Sequence, residues 1–580
     1  MANATIIPTK EPTDLATFTI KIDGEAIPSQ VQVLSVMVRK EINRIPSARI
    51  TISDGEPAAA SFDHSEGALF RPGSEIEISA GYHSEEETIF KGVLTSQRIK
   101  VRRNGSAFLE VVAKDPAFEM TAVPKFRLFT ESKDSDIVDE ILGEHGLSGE
   151  LETTTTEHEH MVQHNVTDWD FILSRMEANG HLLTLNDGKL KSFKPSPSDS
   201  SVLTVAYGST VLEADLELDS RIQISSIKAR SWVYTDQAVL ESENSYSDEP
   251  AGGDITVDEL SGLNDSGDFL LNDAGQTTES ELSAWADTHK MKQNFAKIRG
   301  TITFQGFNEL AAGDIVGLQG FGSVFNGNAF VSGVRHEIVE GSFLTFCQIG
   351  LDPESFFRAG ACQSDCSLVP LIKGLYSGVV LQLQDDPKGE NRILVHIPML
   401  HPDGEGVWSR VCTLDAGDTR GSFFLPEIDD EVMVGFLGND PRYPVVMGML
   451  NSSGKPAPVT AADDNHEKGF FTRSELKVYF NDDTKTIDIN TPKGNFVKLD
   501  EDEGIIHIKD ENDNFVKMSS DGITIESCKD INIKATGDIN IEGVNISSAA
   551  DAEFKADGGA GAELTTGAIC KIQGSLVQIN

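Results

Sequence analysis

Residues 522–543 have the sequence GITIESCKDINIKATGDINIEG, in which the pattern Ile-x-Ile recurs every eight residues. In each repeat the two isoleucines point to one side of an extended strand and the residue between them points to the other. Eight residues make a strand of about five residues and a corner, whereas a single-chain β-solenoid needs three sides, roughly 20 residues, per coil. One copy of the chain therefore leaves its isoleucines uncovered.

Three identical chains around one axis would pair the strand edges and bury the isoleucines in a shared core. We call residues 522–580 the needle. The register changes after Ile541 and blurs through DGGAGAELTTGA, residues 557–568. An ordinary meander or a single-chain solenoid is the alternative. The predicted trimer core consists of Ile523, Ile525, Ile531, Ile533, Ile539, Ile541, Val544 and Ile546.

Composition excludes several classes of protein. The 580 residues carry a net charge of −44, and phosphate-binding surfaces need clustered Lys and Arg, so we expect no nucleic-acid partner. Six scattered cysteines do not form a disulfide framework, and we interpret Cys362 and Cys366 as free thiols, with a disulfide or metal site as alternatives. The N-terminus lacks the basic and apolar regions of a signal peptide, so we expect assembly in the cytoplasm.

The order of patterns along the chain predicts several domains. Alternating strands dominate from residue 15 to about 120, helices fit residues 167–180 and 279–299, and residues 236–280 have a loop-like composition. A weak echo relates PGSEIEI with IFKGVL, containing Gly73 and Gly92, to AAGDIVGL with FVSGVR, containing Gly313 and Gly333. This echo predicts two similar β-barrels, although Gly-rich strands can resemble each other by chance.

Residues 371–450 form a third unit of short strands, with GVVLQLQDDPKGENRILVHIP, VWSRV and LPEIDDEVMVGFLGNDPRYPVVMGML. This unit resembles the OB-fold domain of VgrG and related spike proteins of contractile injection systems and phage tails. Residues 167–180 resemble the hub of the same family, and DDTKTIDINTPKGN, residues 482–495, resembles the start of its spike. The matching OB positions are Gly378, Asp386, Pro387, Gly389, Arg392, Pro398, Pro426, Glu427, Asp430, Glu431, Val432, Gly435, Phe436, Asp440, Pro441, Arg442, Pro444, Val445 and Gly448.

The resemblance implies a mainly β homotrimer with two hub β-barrels and a few helices, an OB-fold barrel, and a C-terminal intertwined triple-stranded β-helix. The implied domains are a tube-docking hub at 1–365, an OB collar at 371–450, a linker at 451–470, and a trimeric β-prism and needle at 471–580. His396 and Met399 depart from the most typical type VI members, so an extracellular injection particle fits equally well.

The implied function is the central spike of a contractile injection system, which joins an inner tube to a membrane-puncturing needle. Its implied partners are tube and baseplate proteins at the hub, a PAAR-type tip protein at the needle end, possible effector cargo, and the target membrane in passing. The particle would then be released or injected into the target envelope. Residues predicted to bind the tip partner are Leu576, Val577, Ile579 and Asn580.

Catalytic chemistry is not predicted. The known hydrolase, nucleotide-binding and metalloprotease motifs are missing from the sequence, the 20-residue linker has no room for a lysozyme domain, and the chain ends without an effector extension. We therefore expect no enzyme activity, no cofactor and no metal, and we interpret His158, His160 and His164 as part of a solvated strand or loop. The alternative function is a β-helical tail fibre or adhesin that binds or depolymerises surface carbohydrate.

Overall fold

The computed structural model describes residues 15–103, 106–196, 200–247, 252–263, 267–354, 368–401 and 404–579. Cys362, Cys366 and Asn580 lie outside the described residues. The chain divides into two compact units, one up to Asn451 and one from Ser452 onward. None of the helices in the described parts of the chain is both long and apolar enough to cross a bilayer.

Strands dominate the N-terminal part of the first unit, which we call the hub. In chain order they are β1 (Ala16–Ile22), β2 (Glu25–Ala26), β3 (Val33–Glu41), β4 (Ser47–Ser53), β5 (Glu75–Tyr82), β6 (Glu85–Val101), β7 (Ala107–Lys114), β8 (Lys125–Lys133), β9 (Ser148–Glu150), β10 (Glu157–Val166), β11 (Leu182–Asn186), β12 (Lys189–Phe193), β13 (Leu203–Ala206), β14 (Val211–Leu218), β15 (Ile227–Val233), β16 (Ala238–Glu243), β17 (Phe269–Asp273), β18 (Ile298–Gln305), β19 (Ile315–Gln319), β20 (Gly327–Val339) and β21 (Ser342–Ile349).

The two predicted hub barrels take the form of two curled halves of one 13-stranded sheet. The first half follows the order β3-β4-β7-β6-β5-β1-β2, and the second contains β13, β14 and β18 to β21. Pairing of β3 with β20 joins the halves, and each half has its own apolar core. The β20–β21 hairpin also reaches the first half, where Ala16 N donates to Gly341 O at 3.2 Å and Ile338 joins the core.

The sequence echo corresponds to the same turn in both halves. Gly73 has φ of 102° and Gly313 has φ of 101°, a backbone conformation that favours glycine. Each donates its N–H across the sheet at 2.8 Å, Gly73 to Leu94 O and Gly313 to Val331 O. The two halves therefore share their strand pattern and their turn geometry.

Short helices fill the spaces between the hub sheets. They are α1 (Asp63–Glu66), α2 (Asp134–Glu144), α3 (Asp168–Ala178), α4 (Val257–Ser261) and α5 (Glu279–Phe295), with 3-10 turns at Pro116–Thr121 and Leu437–Asn439. The Thr167 hydroxyl caps α3 by accepting from Asp170 N at 3.1 Å, and Gly180 follows the helix with φ of 75°. The second predicted helix was too long, because Ile298 begins β18, which pairs with β14.

Three small sheets complete the hub. They are β8–β10, β9–β12–β11 and β16–β15–β17. The loop interpretation of residues 236–280 was wrong where β16 and β17 pair with β15 on opposite sides. β15 and β16 form a local hairpin, whereas β17 pairs with β15 from about 40 residues away, and the Asp-rich and Gly-rich composition of the stretch concealed both strands.

Residues 376–449 form a closed five-stranded barrel with an added hairpin, and we call it the OB barrel. The barrel closes in the order β22-β23-β24-β28-β27, and β25 pairs with β26. The strands are β22 (Tyr376–Gln382), β23 (Ile393–His396), β24 (Val407–Val411), β25 (Ala416–Gly417), β26 (Arg420–Gly421), β27 (Glu431–Phe436) and β28 (Pro444–Met449).

The second unit is one antiparallel meander followed by the needle. Its strands are β29 (Glu467–Phe471), β30 (Lys477–Asn481), β31 (Thr486–Asn490), β32 (Phe496–Asp500), β33 (Ile505–Lys509), β34 (Phe515–Ser519) and β35 (Gly522–Glu526), each paired with the next. The predicted linker of residues 451–470 was too long, because β29 begins at Glu467 and pairs with β30.

Candidate functional site

The meander of the second unit carries a continuous apolar face. Side chains alternate along each strand, and the in-register pairing of β30 to β35 aligns the apolar ones across the sheet. The first file contains Val478, Ile489, Val497, Ile508, Val516 and Ile525. The second contains Phe480, Ile487, Leu499, Ile506, Met518 and Ile523. We call these two files the apolar face.

The opposite face of the same sheet is largely polar, although the rings of Phe496 and Phe515 contact His507 there. Asp488, Lys498, His507 and Lys517 follow one another across β31 to β34. Lys498 forms an ion pair with Asp500 at 2.9 Å. Since an antiparallel sheet with one polar side normally packs its apolar side against a partner, the second unit has a face that one chain leaves uncovered.

The needle continues from β35 as extended segments separated by regular bends. The bends lie at residues 528–529, 536–537, 544, 551–552, 559–560, 567–568 and 575–576. The eight-residue spacing of corners therefore continues through residues 557–568, where the isoleucine pattern is lost. Glycine and alanine in that stretch change the width of the repeat's core and not the length of the repeat.

Beyond β35, the backbone of the needle pairs with no other strand of the same chain in the part that the structure describes. Across residues 531–579, all of which the structure describes, no backbone-to-backbone hydrogen bond is formed. An extended strand without a neighbour is not a stable structure, because its N–H and C=O groups and its apolar side chains all stay in water. The geometry of the needle thus requires strands from outside the chain.

The predicted trimer-core residues lie on the exposed surface of the single chain. Ile523 and Ile525 end the two files of the apolar face, and the other six follow in the octads. Their exposed fractions range from 51% at Ile539 to 100% at Val544. The predicted tip residues Leu576, Val577 and Ile579 are also exposed.

A buried ionic network joins the hub to the OB barrel. Arg442 of the barrel donates to Asp440 at 2.8 Å and to Glu281 of α5 at 2.7 Å, and its side chain is 6% exposed. Although burial opposes the charge, the two carboxylates raise the pKa of Arg442 well above its ordinary value. Removing one partner from such a network leaves a buried charge uncompensated, so the network resists separation of the two parts.

A second set of contacts lies beside the first. Arg392 of the barrel binds Glu159 of β10 at 2.9 Å and Asp386 at 2.6 Å, and the Arg410 guanidinium stacks 4.1 Å from the ring centre of Tyr234. Despite burial, hydrogen bonds from Arg392 hold the pKa of Asp386 below its usual range. Arg392 and Arg442 are therefore engaged in internal contacts and are not presented to a phosphate backbone.

Sequence reasoning missed these hub-to-barrel contacts. Arg392 and Arg442 belong to the OB motif, so their positions carried a signal. Nothing in the sequence marked Glu159 and Glu281 as their hub partners. Glu159 lies 233 residues from Arg392 and Glu281 lies 161 residues from Arg442, and each is one of many acidic residues.

The histidine stretch, residues 158–164, lies within the strand β10. The prediction of a strand or loop is therefore confirmed, but the solvated environment predicted for it was wrong. His158 is buried, and its Nε2 lies 3.1 Å from Asp134 Oδ2, which also binds Arg175. Pairing with β8 on one side and contact with the OB barrel on one face remove β10 from water. Within the described residues, no group of three or more His, Cys, Asp or Glu side chains is arranged to hold a metal ion.

Comparisons with known proteins agree with this architecture. Residues 12–340 match the family model described as "Alg8 N-terminal domain", and residues 376–450 match "Type VI secretion system/phage-baseplate injector OB domain". The type VI secretion system spike protein VgrG1b of Pseudomonas aeruginosa is 22% identical, over 70% of this chain and 57% of that protein. The spike protein VgrG1c of the same organism is 21% identical, over 78% of this chain and 64% of that protein.

A solved structure of a Francisella PdpA-VgrG complex, in its half-lidded form, has the same fold. It aligns with a TM-score of 0.52 and 11% identity, covering 88% of each chain. The chain spans about three fifths of the length of the curated relatives that it matches. Residues 376–450 thus match the injector OB domain of type VI secretion systems and phage baseplates, and the chain is similar to VgrG spike proteins. Because the first family model covers more than half of the chain, the protein belongs to the Alg8 N-terminal domain family.

Proposed function

We propose that the protein is the homotrimeric central spike of a contractile injection system. The observation that carries this proposal is the uncovered apolar face of β30 to β35 together with the unpaired backbone of the needle. Two further copies of the chain supply apolar faces and strand edges that match the first, because a closed symmetric assembly uses the same patch on every subunit. In this arrangement residues 471–580 act as a trimeric prism and needle.

The energy available from trimer formation is large. Complete burial of one isoleucine is worth about 1.5–3 kcal/mol, and all seven isoleucines of the predicted core are more than half exposed in one chain. Three chains would bury three copies of each, and pairing would also provide backbone hydrogen bonds. A continuous apolar core with paired edges is stiff, so force from contraction would pass along it to the target envelope.

The hub would dock on the inner tube and the baseplate. Its two curled halves share the turn at Gly73 and Gly313, so a trimer would present six similar units to a sixfold tube. The ion pairs of Arg392 and Arg442 would keep the OB barrel, acting as a collar, fixed to the hub during contraction. This part of the mechanism is mechanical and uses no catalytic residue.

The needle end would carry a PAAR-type tip protein. Leu576, Val577 and Ile579 are exposed apolar side chains, and strand ends at a needle tip need a cap. Effector cargo would travel on the same particle, and the neighbour seen in complex with PdpA is consistent with a spike that binds other proteins. Assembly would occur in the cytoplasm, followed by release or injection into the target envelope, whose membrane the needle would contact in passing.

Oligomer mass and partner capture test the proposal together. Sedimentation equilibrium should give about 190 kDa for three chains of 62.9 kDa each. Co-expression with tube and tip proteins from the same gene cluster should yield a complex that leaves surface glycan intact. A monomer, or a trimer that cleaves or retains glycan without binding tube protein, would favour the tail-fibre alternative, which none of the relatives reported above supports.

A further inference from the structure

One face of β10 packs against the OB barrel. Val162 lies in the apolar core of the barrel, and alternation along the strand places His160 and His164 on the same side. His164 Nε2 lies 3.5 Å from the Tyr376 hydroxyl of β22. The hub therefore contacts the barrel through a strand that carries two histidines toward it.

Two histidines of the barrel lie near this strand, close enough for His160 to act electrostatically on His401. The rings of His396 and His401 lie 5.8 Å apart, and His401 is 3% exposed. Both ring nitrogens of His160, both of His401 and Nδ1 of His396 are buried without a hydrogen-bond partner among the described residues. A neutral imidazole has one donor and one acceptor, and leaving them unpaired in the interior carries a cost.

Charged and titratable neighbours face the cluster from both parts. Glu159 of β10 lies 3.9 Å from His160 and favours its protonation, whereas Arg392 and Lys388 of the barrel oppose it. Burial is the largest effect and lowers the pKa of His160. The pKa of His401 is lowered to about 4, mainly by burial; a backbone hydrogen bond opposes this change, and the nearby His396 and His160 act in the same direction as burial.

We propose that His160 and His401, with the His396 ring beside His401, form an acid-sensitive joint, which holds the hub to the OB barrel while these two imidazoles are neutral and loosens when they take up protons. The cost of the unpaired nitrogens is tolerated at neutral pH because the rings fill the apolar contact. Protonation places like charges in one buried cluster, and the carboxylate beside it, Glu159, is already paired with Arg392 and Lys388.

The sign and size of the effect follow from linkage. The pKa of a histidine is about 6.5 when it is exposed to solvent and is lower in the joined state. Above about pH 6.5 the histidine is neutral in both states and does not weaken the joint. As pH falls below about 6.5, protons bind preferentially to the separated state, so the joined state is destabilised. For His401 a change from 6.5 to about 4 makes the joined state about 30-fold less favoured at pH 5 relative to pH 8. His160 adds to the effect in the same direction.

Other ionisations oppose this change. Acidification from pH 8 toward the sequence pI of 4.5 reduces the net charge of −44 and with it the general repulsion within the chain. Despite burial, Arg392 holds the pKa of Glu159 below its usual range, so this ion pair persists at pH 5. A loosening confined to the joint therefore has the histidines as its source.

Hydrogen exchange of the full-length protein at pH 8 and pH 5 tests the joint, with protection corrected for intrinsic rates. Wild-type protection of β10 and β23 should fall by about 30-fold or more, while that of β7 stays constant. The double variant His160→Gln with His401→Gln should lose this pH dependence. His466→Gln, which changes an exposed histidine of the second unit, is the matched control and should behave as the wild type.

Several results would overturn the proposal. These are a flat wild-type profile, an unchanged profile in the double variant, or loss of protection at pH 8 on adding EDTA, which would identify a metal site. If the double variant does not fold, exchange of the histidine C2 hydrogens in the wild type, followed by mass spectrometry, gives the pKa of His401 directly. A pKa near 6.5 there would contradict the joint, and one near 4 would support it.

Discussion

Replacing Ile533 by Asp should abolish trimer formation. Ile533 is 73% exposed in one chain, and full burial of an isoleucine is worth about 1.5–3 kcal/mol, so each copy gains roughly 1–2 kcal/mol and three copies roughly 3–6 kcal/mol on assembly. The variant loses this gain and must also bury three carboxylates around one axis, each at a cost of several kcal/mol. The total exceeds about 10 kcal/mol, which is comparable with the whole stability of a typical domain.

Sedimentation velocity across a concentration series measures the outcome. The wild type should sediment as a trimer at micromolar concentration, and I533D as a monomer whose hub still unfolds cooperatively. Asn532→Asp is the matched control, since Asn532 lies between Ile531 and Ile533 and points to the opposite side of the strand. Ile533→Val should stay trimeric. An I533D trimer with wild-type thermal stability, or an N532D variant that dissociates as completely, would refute the reasoning.

Three further predictions concern the first unit. Arg442→Met should lower the free energy of unfolding by about 3–5 kcal/mol in chemical denaturation, because Glu281 would stay buried without its cation; a loss below about 1 kcal/mol would contradict a buried network. Gly92→Ala should destabilise the hub by about 1–3 kcal/mol in the same assay, because a Cβ there would lie 2.3 Å from a backbone carbonyl oxygen of the neighbouring strand. Gly448→Ala in β28, where a Cβ would meet no atom within 4 Å, is the control and should change the stability little. Hydrogen bonds from Arg221 lower the pKa of Asp219 to about 2, so the stability that Asp219 provides is complete above pH 4 and is lost as pH falls through 2. The difference in melting temperature between the wild type and Asp219→Asn should therefore shrink as pH falls from about 4 to about 2. A difference that stays constant over this range would exclude the linkage.

Sequence patterns predicted those elements that depend only on residues close together in the chain. The helix predicted within residues 167–180 is α3, and it was predictable because its cap and its end each depend on residues within one or two turns. The echo of Gly73 and Gly313 is visible because a positive φ restricts the residue type. The hub's single continuous sheet was not predictable in this way, since pairing of β3 with β20 joins residues about 300 positions apart.

The sequence by itself determined the eight-residue repeat, its one-sided isoleucines and the OB motif, because side-chain alternation and turn chemistry act between neighbouring residues. The bends of the needle keep the same repeat length beyond the last Ile-x-Ile. Only the tertiary structure decided which charges and histidines meet their partners, as at Glu159 with Arg392 and at His164 with Tyr376. The physical reason is that burial and electrostatic pairing depend on distances in space. In a chain with 92 acidic residues, the sequence does not indicate which distant residue a given acidic residue or histidine will contact.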